Sequence, residues 1–254
     1  MSRVTHDGRT TAFGQTDREG HSILCVHGSG GTRAVWKAQR ARLAGTVTAL
    51  DLAGHGDSPP AAVPPGPARL RAYVADVAAV ATAVDADVLV GHSLGGAVVL
   101  QTLLDRDLGV DAAVVIGAGA TLPVSETLLE WLAEDFDRVI EFLHGPDRLF
   151  HAPDDRLIDR SRTLLESVGQ PVTRADFQTC TAYDVTDRLP AIEVPVLAVV
   201  GAHDQLTPPR LQDPLVAGLP EATRTEIADA AHMAMVERPD AVNEAITAFL
   251  ERRT

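Results

Sequence analysis

The sequence predicts an α/β fold in which a mostly parallel sheet is covered on both faces by helices. Two observations carry this prediction. Short runs rich in Val, Ile and Leu alternate along the chain with segments of helical periodicity, and each run is almost continuously apolar. Strands that are buried on both faces have this composition, and the helices that connect parallel strands supply the cover.

The predicted strands are apolar runs bounded by Gly, Pro or charged residues. They comprise residues 22–26, 47–52, 87–90, 112–116 and 196–200. Residues 223–227 are predicted to form the last strand, and residues 10–16, with the stretch before them, are a predicted antiparallel start. The clearest helices are 70–84, where apolar residues recur at helical spacing, and 239–250, which begins with a proline that suits a first turn.

Two segments interrupt this alternation. Residues 57–67 contain five prolines and are predicted to form a stiff surface loop. Residues 121–189 are far longer than a crossover of about 10–12 residues, and Leu128, Leu132 and Phe136 begin a helical pattern there. This segment is either a set of helices packed on the body or a lid over a site, and its length favours the lid. We therefore assign residues 1–120 and 189–254 to a core domain and residues 121–188 to a helical cap.

Composition excludes several classes of partner. The 254 residues carry a formal charge of −13, which repels nucleic-acid phosphates and anionic lipids. We expect no signal peptide, because the N-terminal stretch is polar, and no apolar run approaches the ~18 residues of a membrane span. Cys25 lies in an apolar run, where a buried thiol is the simpler interpretation than a disulfide with Cys180. We expect a cytoplasmic protein, and the oligomeric state is not predicted.

The strongest motif is the G-x-S-x-G sequence of residues 91–95, with Ser93 at its centre. An apolar strand precedes it and a helical pattern follows, which is the context of a nucleophile held in a strained turn. The alternative is a glycine-rich turn with an incidental serine. Because a serine hydroxyl is a weak nucleophile, it needs a base and an orienting acid. Asp204 follows the strand 196–200 and His232 precedes the last helix, in the chain order Ser, Asp, His.

An acyl-transfer site also needs donors for an oxyanion. The N–H groups of Leu94, directly after the nucleophile, and of Ser29, in the glycine-rich loop after the strand 22–26, are the candidates. The same loop fails as a dinucleotide motif because Arg33 replaces the third glycine of G-x-G-x-x-G. The histidines are scattered over separate loops, so we predict no metal site and no cofactor. His27, His55 and His92 are interpreted as residues that fix the backbone of sharp turns.

Five motifs in this order resemble those of the α/β-hydrolase superfamily. They are His27-Gly28, the stretch from Asp51 to Ser58, residues 91–96, the stretch from Gly201 to Asp204, and His232. The resemblance covers nearly the whole chain. It implies an eight-stranded, mostly parallel sheet with a cap inserted after the sixth strand. It also implies the same nucleophile, acid, base and oxyanion donors as above.

The sequence therefore predicts a serine hydrolase that cleaves a small ester, thioester or lactone through an acyl-enzyme on Ser93. Ser29 stands where perhydrolase relatives carry an aromatic residue, which disfavours that activity, and a serine nucleophile disfavours epoxide and haloalkane hydrolases. Two alternatives stay open. One is a lyase of the same fold, either like a hydroxynitrile lyase or like a pyruvate-eliminating synthase, which uses the triad as a base. The other is a non-catalytic ligand receptor.

Overall fold

The computed structural model describes residues 1–252 and shows one eight-stranded sheet. The strands are β1 (Ser2–His6), β2 (Arg9–Gln15), β3 (Ser22–Val26), β4 (Thr46–Leu50), β5 (Val88–His92), β6 (Ala112–Ile116), β7 (Val196–Gly201) and β8 (Ala222–Ile227). Their spatial order is β1-β2-β4-β3-β5-β6-β7-β8. The pairs β1/β2 and β2/β4 are antiparallel, and all the other pairs are parallel. The predicted fold class is confirmed, including the antiparallel start.

Helices cover both faces of the sheet. They are α1 (Lys37–Arg42), α2 (Pro67–Val84), α3 (Leu94–Asp105), α4 (Glu126–Glu134), α5 (Phe136–Leu143), α6 (Asp155–Val168), α7 (Gln170–Thr181), α8 (Asp213–Gly218), α9 (Ala234–Glu237) and α10 (Pro239–Glu251). One face packs under α2, α3 and α8, and the other under α1 and α10. No helix within residues 1–252 is long and apolar enough to span a membrane.

The core consists of side chains from the parallel strands and from these helices. Strand β6 is buried at every position, as its continuous apolar sequence requires. Strand β8 is half-buried or exposed over most of its length because it is an edge strand with one neighbour. Both cysteines are free and buried, so no disulfide joins them.

The segment between β6 and β7 forms the four helices α4 to α7. An antiparallel bridge between Thr121 and Asp184 joins its two ends, and the N–H of Val185 donates to the carbonyl of Ala120 at 3.0 Å. Its helices share an apolar cluster of their own, which includes the fully buried Leu132. This helical insertion coincides with predicted residues 121–188, and its assignment as a separate cap domain stays a prediction.

Candidate active site

Ser93 occupies the sharp turn between β5 and α3. Its φ of 53° and ψ of −121° lie in a region that residues other than glycine seldom adopt. The turn needs its two glycines, because a Cβ on Gly91 would collide with the backbone of Gly95, and one on Gly95 with the carbonyl of Val26. The Ser93 N–H donates to the carbonyl of Ile116 in β6 at 2.8 Å. The serine is therefore held above the sheet edge by the packing around it.

Ser93 lines a cavity of about 270 Å³. The loop of residues 28–31, which we call the oxyanion loop, and His232 line the same cavity. Most of its apolar wall comes from the helical insertion, including Leu122, Leu128, Phe142, Leu143, Leu165 and Phe177. Within residues 1–252 no Asp, Glu, Lys or Arg lines it. Such a cavity suits a small apolar ligand with a few polar contacts at one end.

The predicted acid and base contact each other beside this cavity. Nδ1 of His232 lies 2.9 Å from Oδ2 of Asp204, and both side chains are buried. The other carboxylate oxygen, Oδ1, accepts the N–H groups of Leu206 and Thr207, each at 2.8 Å. Asp204 is thus fixed by its own turn after β7, while His232 extends from the loop after β8. The structure brings these two residues and Ser93 to one edge of the sheet.

Thr207 is a site residue that was not predicted from the sequence. Its Oγ1 lies 2.7 Å from Oδ2 of Asp204, 2.9 Å from the carbonyl of Gly117 and 3.0 Å from Nδ1 of His232. The only sequence signal was its position three residues after Asp204, where a threonine is usually just part of a turn. The hydroxyl contacts the acid and the base at once.

His92 and His27 hold the backbone around the site, as predicted. His92 Nε2 lies 3.0 Å from the carbonyl of His232, and the two rings are 4.7 Å apart. Nε2 of His27 accepts the N–H of Leu52 at 3.1 Å, while Nδ1 donates to the carbonyl of Gly28 at 2.8 Å. Burial, and then the neighbouring His55, lower the pKa of His27 to about 3. Burial, and then His232, hold the pKa of His92 well below its usual value, so both rings are neutral supports.

The oxyanion loop is a tight turn. The N–H of Gly31 donates to the carbonyl of Gly28 at 3.1 Å, and Gly30 has a positive φ of 64°. A Cβ on Gly28 would lie 2.9 Å from the Cβ of Ser93, so this glycine lets the loop approach the serine. Leu94 is the first residue of α3, and its N–H therefore has no intrahelical acceptor. Of the two predicted oxyanion donors, Leu94 directly follows Ser93, and Ser29 directly follows Gly28, the residue at which the loop approaches Ser93.

His203 does not take part in this arrangement. Its ring stacks on that of His151, with centroids 3.7 Å apart and planes inclined by 8°. Asp147 completes a group whose potential ligand atoms all lie within 4.8 Å of one another. Nitrogen lone pairs lie in the ring plane, so two nearly parallel, stacked imidazoles cannot both direct theirs at one ion. This pair does not form a metal centre in the conformation observed.

Comparison with known proteins agrees with this geometry. Residues 23–245 match the Alpha/beta hydrolase family. The chain belongs to that family, and the predicted resemblance is confirmed.

Individual relatives are esterases. The chain is 31% identical to the pimeloyl-[acyl-carrier protein] methyl ester esterase of Neisseria meningitidis serogroup A, over 90% of this chain and 76% of that protein. A solved thermophilic esterase from Thermogutta terrifontis superposes with a TM-score of 0.80 and 27% identity, over 99% of this chain and 98% of the other. An esterase from Exiguobacterium antarcticum superposes with a TM-score of 0.89, over 98% and 99% of the two chains. At 17% identity, that likeness concerns the fold alone.

Proposed function

We propose that this protein is a serine esterase that is acylated on Ser93 by a small, uncharged ester with an apolar acyl group. It is a hydrolase that acts on ester bonds, as its family and its esterase relatives indicate. One observation carries the finer proposal. Ser93 lines an apolar cavity together with His232, whose Nδ1 is bound to the buried carboxylate of Asp204.

In the acylation step, Ser93 is the nucleophile and His232 is the base. The Nδ1–H of His232 donates to Asp204, so Nε2 carries the lone pair that accepts the serine proton. The Ser93 oxygen then bonds to the ester carbonyl carbon. As this tetrahedral intermediate collapses, the imidazolium returns the proton to the leaving alcohol and the C–O bond breaks. Asp204 fixes the tautomer and stabilises the positive charge on the ring.

The negative charge on the carbonyl oxygen needs fixed donors. The N–H groups of Ser29 and Leu94 serve this purpose, and the N-terminus of α3 adds the positive end of its helix dipole. Deacylation repeats these steps in reverse. His232 deprotonates a water molecule, hydroxide adds to the acyl carbon, and Ser93 recovers its proton when the acid leaves. The reaction consumes one ester and one water and releases an alcohol and an acid.

The apolar cavity sets the proposed substrate class. A carboxylate in the acyl chain would lose its hydration and find no Lys or Arg partner among the lining residues described. The helical insertion, acting as the cap of residues 121–188, supplies most of that wall. Its volume of about 270 Å³ is near the lower end of ligand pockets, which span roughly 300–1,000 Å³. We therefore expect short acyl chains.

The test begins with a fluorophosphonate probe and intact-mass spectrometry. We expect one adduct per chain on Ser93, and none in Ser93→Ala. Folded protein that gains no adduct, or that gains one elsewhere, would contradict the serine mechanism and favour a lyase or a receptor. Trapping of an acyl-enzyme on Ser93 during turnover separates hydrolase from lyase, because the lyase uses the triad as a base without acylation.

A matched pair of substrates then tests polarity. Methyl 4-methylpentanoate and monomethyl succinate have acyl chains of nearly equal shape, ending in an isopropyl group and in a carboxylate. We expect kcat/KM to be at least about 100-fold higher for the neutral ester, because the carboxylate would lose its hydration without gaining a partner. Each factor of ten in this ratio corresponds to about 1.36 kcal/mol. Equal values would refute an uncharged substrate while leaving the Ser93 mechanism intact.

A further inference from the structure

Asp176 is a completely buried carboxylate that reaches from the helical insertion to the oxyanion loop. It lies on α7, and its Oδ2 accepts the N–H of Gly30 at 3.1 Å. Its oxygens also lie 2.9 Å from Nε2 of His55 and accept the Tyr73 hydroxyl at 2.6 Å. Three groups of the core thus converge on one side chain of the insertion.

We propose that Asp176 is a positioning residue that holds the oxyanion loop in the conformation that presents the Ser29 N–H to the reacting carbonyl. This inference rests on the proposed function, because that function gives the Ser29 N–H its role. Asp176 does not line the cavity, so it acts through the loop rather than by touching the substrate.

The geometry of the turn explains how the carboxylate acts. A hydrogen bond from Gly31 N–H to the Gly28 carbonyl closes the turn, with Ser29 and Gly30 as its central residues. The positive φ of Gly30 is what a type II turn requires at its third residue. The peptide between Ser29 and Gly30 can flip between turn types, and its N–H and C=O point in opposite directions. By accepting that N–H, Asp176 fixes the central peptide of the turn. The Ser29 N–H lies on the preceding peptide, and it keeps its position because the turn as a whole is held in place.

Two further contacts from the insertion hold the same turn. Cys180 lies four residues after Asp176 on the same face of α7, and its Sγ is 3.8 Å from Oγ of Ser29. A Cβ on Gly30 would lie 2.6 Å from Cδ2 of Leu165 on α6, so α6 closes against the loop from another side. The insertion therefore contacts both central residues of the turn, Ser29 and Gly30.

Charge near a developing oxyanion needs compensation, and His55 supplies it. Burial alone would lower the pKa of His55, but the Asp176 carboxylate raises it above the usual value. Burial alone would raise the pKa of Asp176, but the charge of His55 lowers it. Both shifts favour the charged forms of the two groups, whose opposite charges cancel at a separation of 2.9 Å. The carboxylate can thus orient the loop without repelling the oxyanion, and its hydrogen bond to Gly30 is strengthened by its charge.

This arrangement also fixes α7 to the core. Lifting the helix would break three hydrogen bonds and expose half of a buried ion pair, which is strongly unfavourable. We therefore expect α7 to stay on the core while the substrate enters.

The experiment compares Asp176→Ala and Asp176→Asn with Tyr73→Phe. The matched control removes a partner of the same carboxylate but leaves Gly30 untouched, and Tyr73 does not line the cavity. For each variant, kcat and KM for p-nitrophenyl butyrate are measured per active site titrated with fluorophosphonate. The Ki of a trifluoromethyl ketone is measured as well, since its adduct places an oxyanion in the same position. Thermal unfolding reports the structural cost.

We expect Asp176→Ala to lower kcat by about 10- to 100-fold, less than or comparable to the roughly 10²–10³ lost on removing an oxyanion donor. KM should change little, and the Ki of the ketone should rise by the same factor as kcat falls. Asp176→Asn keeps an acceptor for Gly30 and should recover most of kcat. Tyr73→Phe should lower the melting temperature and leave kcat and Ki unchanged.

A purely structural role would give a different pattern. All three variants would then unfold at lower temperature, with unchanged kcat per titrated site and unchanged Ki, and the inference would be wrong. If Asp176→Ala does not fold, Asp176→Ser takes its place, because its hydroxyl is one bond shorter than the carboxylate that accepts the Gly30 N–H. A fall in kcat with an equal rise in Ki supports the inference, and no change in either overturns it. If wild-type Ser93 is not labelled at all, the proposed function fails, which is a separate result.

Discussion

The hydroxyl of Thr207 lies 2.7 Å from Oδ2 of Asp204, the same oxygen that binds Nδ1 of His232. The hydroxyl is also 2.9 Å from the carbonyl of Gly117 and 3.0 Å from Nδ1 of His232. A carbonyl on one side and a carboxylate on the other leave it little freedom. Thr207 therefore restricts where the carboxylate, and through it the imidazole, can move.

Thr207→Val tests this restriction. Valine has nearly the same shape but no hydroxyl, so Asp204 loses one hydrogen bond and keeps those from its own turn. A hydrogen bond of about 1 kcal/mol corresponds to roughly a fivefold lower kcat. Thr207→Ser keeps the hydroxyl and should behave like the wild type. Steady-state kinetics with p-nitrophenyl butyrate provide the measurement, and equal kcat values for the valine variant and the wild type would exclude a role for the hydroxyl.

Asp204→Asn tests the acid more severely. An amide nitrogen facing Nδ1 would donate rather than accept, which favours the imidazole tautomer with its lone pair on the wrong nitrogen. A loss of about 10⁴ in kcat is expected, as for the same change in a serine protease. The side chain is isosteric and keeps an oxygen for the N–H groups of Leu206 and Thr207, so circular dichroism should show a folded protein. Activity within about tenfold of the wild type would reassign the acid.

Sequence alone predicted the layout of the sheet and the position of each candidate site residue along it. The strand 22–26 was predicted correctly, because a short, continuous apolar run between polar residues is typical of a buried strand. The strand predicted at 47–52 is wrong at its end. β4 stops at Leu50, and the carboxylate of the next residue, Asp51, accepts the N–H groups of Arg33 and Asp57 in the turn that follows. Apolar Leu52 is buried without being in a strand.

Contacts between distant residues could not be predicted in this way. Asp176 lies more than a hundred positions along the chain from both His55 and Tyr73. In the sequence, an aspartate in a polar helix cannot be distinguished from one that is exposed to solvent. His55 was interpreted as a residue that fixes its own backbone, yet its main partner is a carboxylate of the insertion. Such a cluster follows from how α7 packs, which depends on shape complementarity rather than on local periodicity.

Acid should destabilise the protein because His27 is buried as a neutral ring. Its usual pKa of 6.5 falls to about 3 in the fold. Between these values the unfolded chain binds a proton that the folded chain does not, so the free energy of unfolding decreases as the pH falls. His92 acts in the same direction. The expected loss is up to about 1.4 kcal/mol per pH unit for each group. Urea unfolding at pH 7 and pH 5 measures it.

His144, whose pKa is also lowered by burial, acts in the same direction as His27, whereas His55 and Asp176 act mainly outside the range from pH 5 to pH 6.5. The raised pKa of His55 gives a stabilisation that is complete below pH 6.5 and lost as the pH rises through its folded pKa. The lowered pKa of Asp176 gives a stabilisation that is lost only when the pH falls below its usual pKa of 3.8. His27→Gln removes one titrating ring. The unfolding free energy should then change less between pH 7 and pH 5, by the amount that corresponds to the uptake of about one proton on unfolding. An unchanged slope would show that His27 is not the source.

Gly28→Ala should affect activity more than stability. The added methyl group would lie 2.9 Å from both Cβ of Ser93 and Nδ1 of His92, so the oxyanion loop or the serine must shift. A displacement of about 1 Å at a reacting group can cost roughly 10²-fold in rate, and we expect kcat to fall by that order.

Gly109→Ala is the matched control. Gly109 has a φ of 64°, and a Cβ added there would meet nothing within 4 Å, so the change strains the backbone far from the site. The control should lose about 1 kcal/mol of unfolding free energy with kcat unchanged. If Gly28→Ala instead retains kcat while losing stability like the control, the close approach of the loop to Ser93 is not required for catalysis.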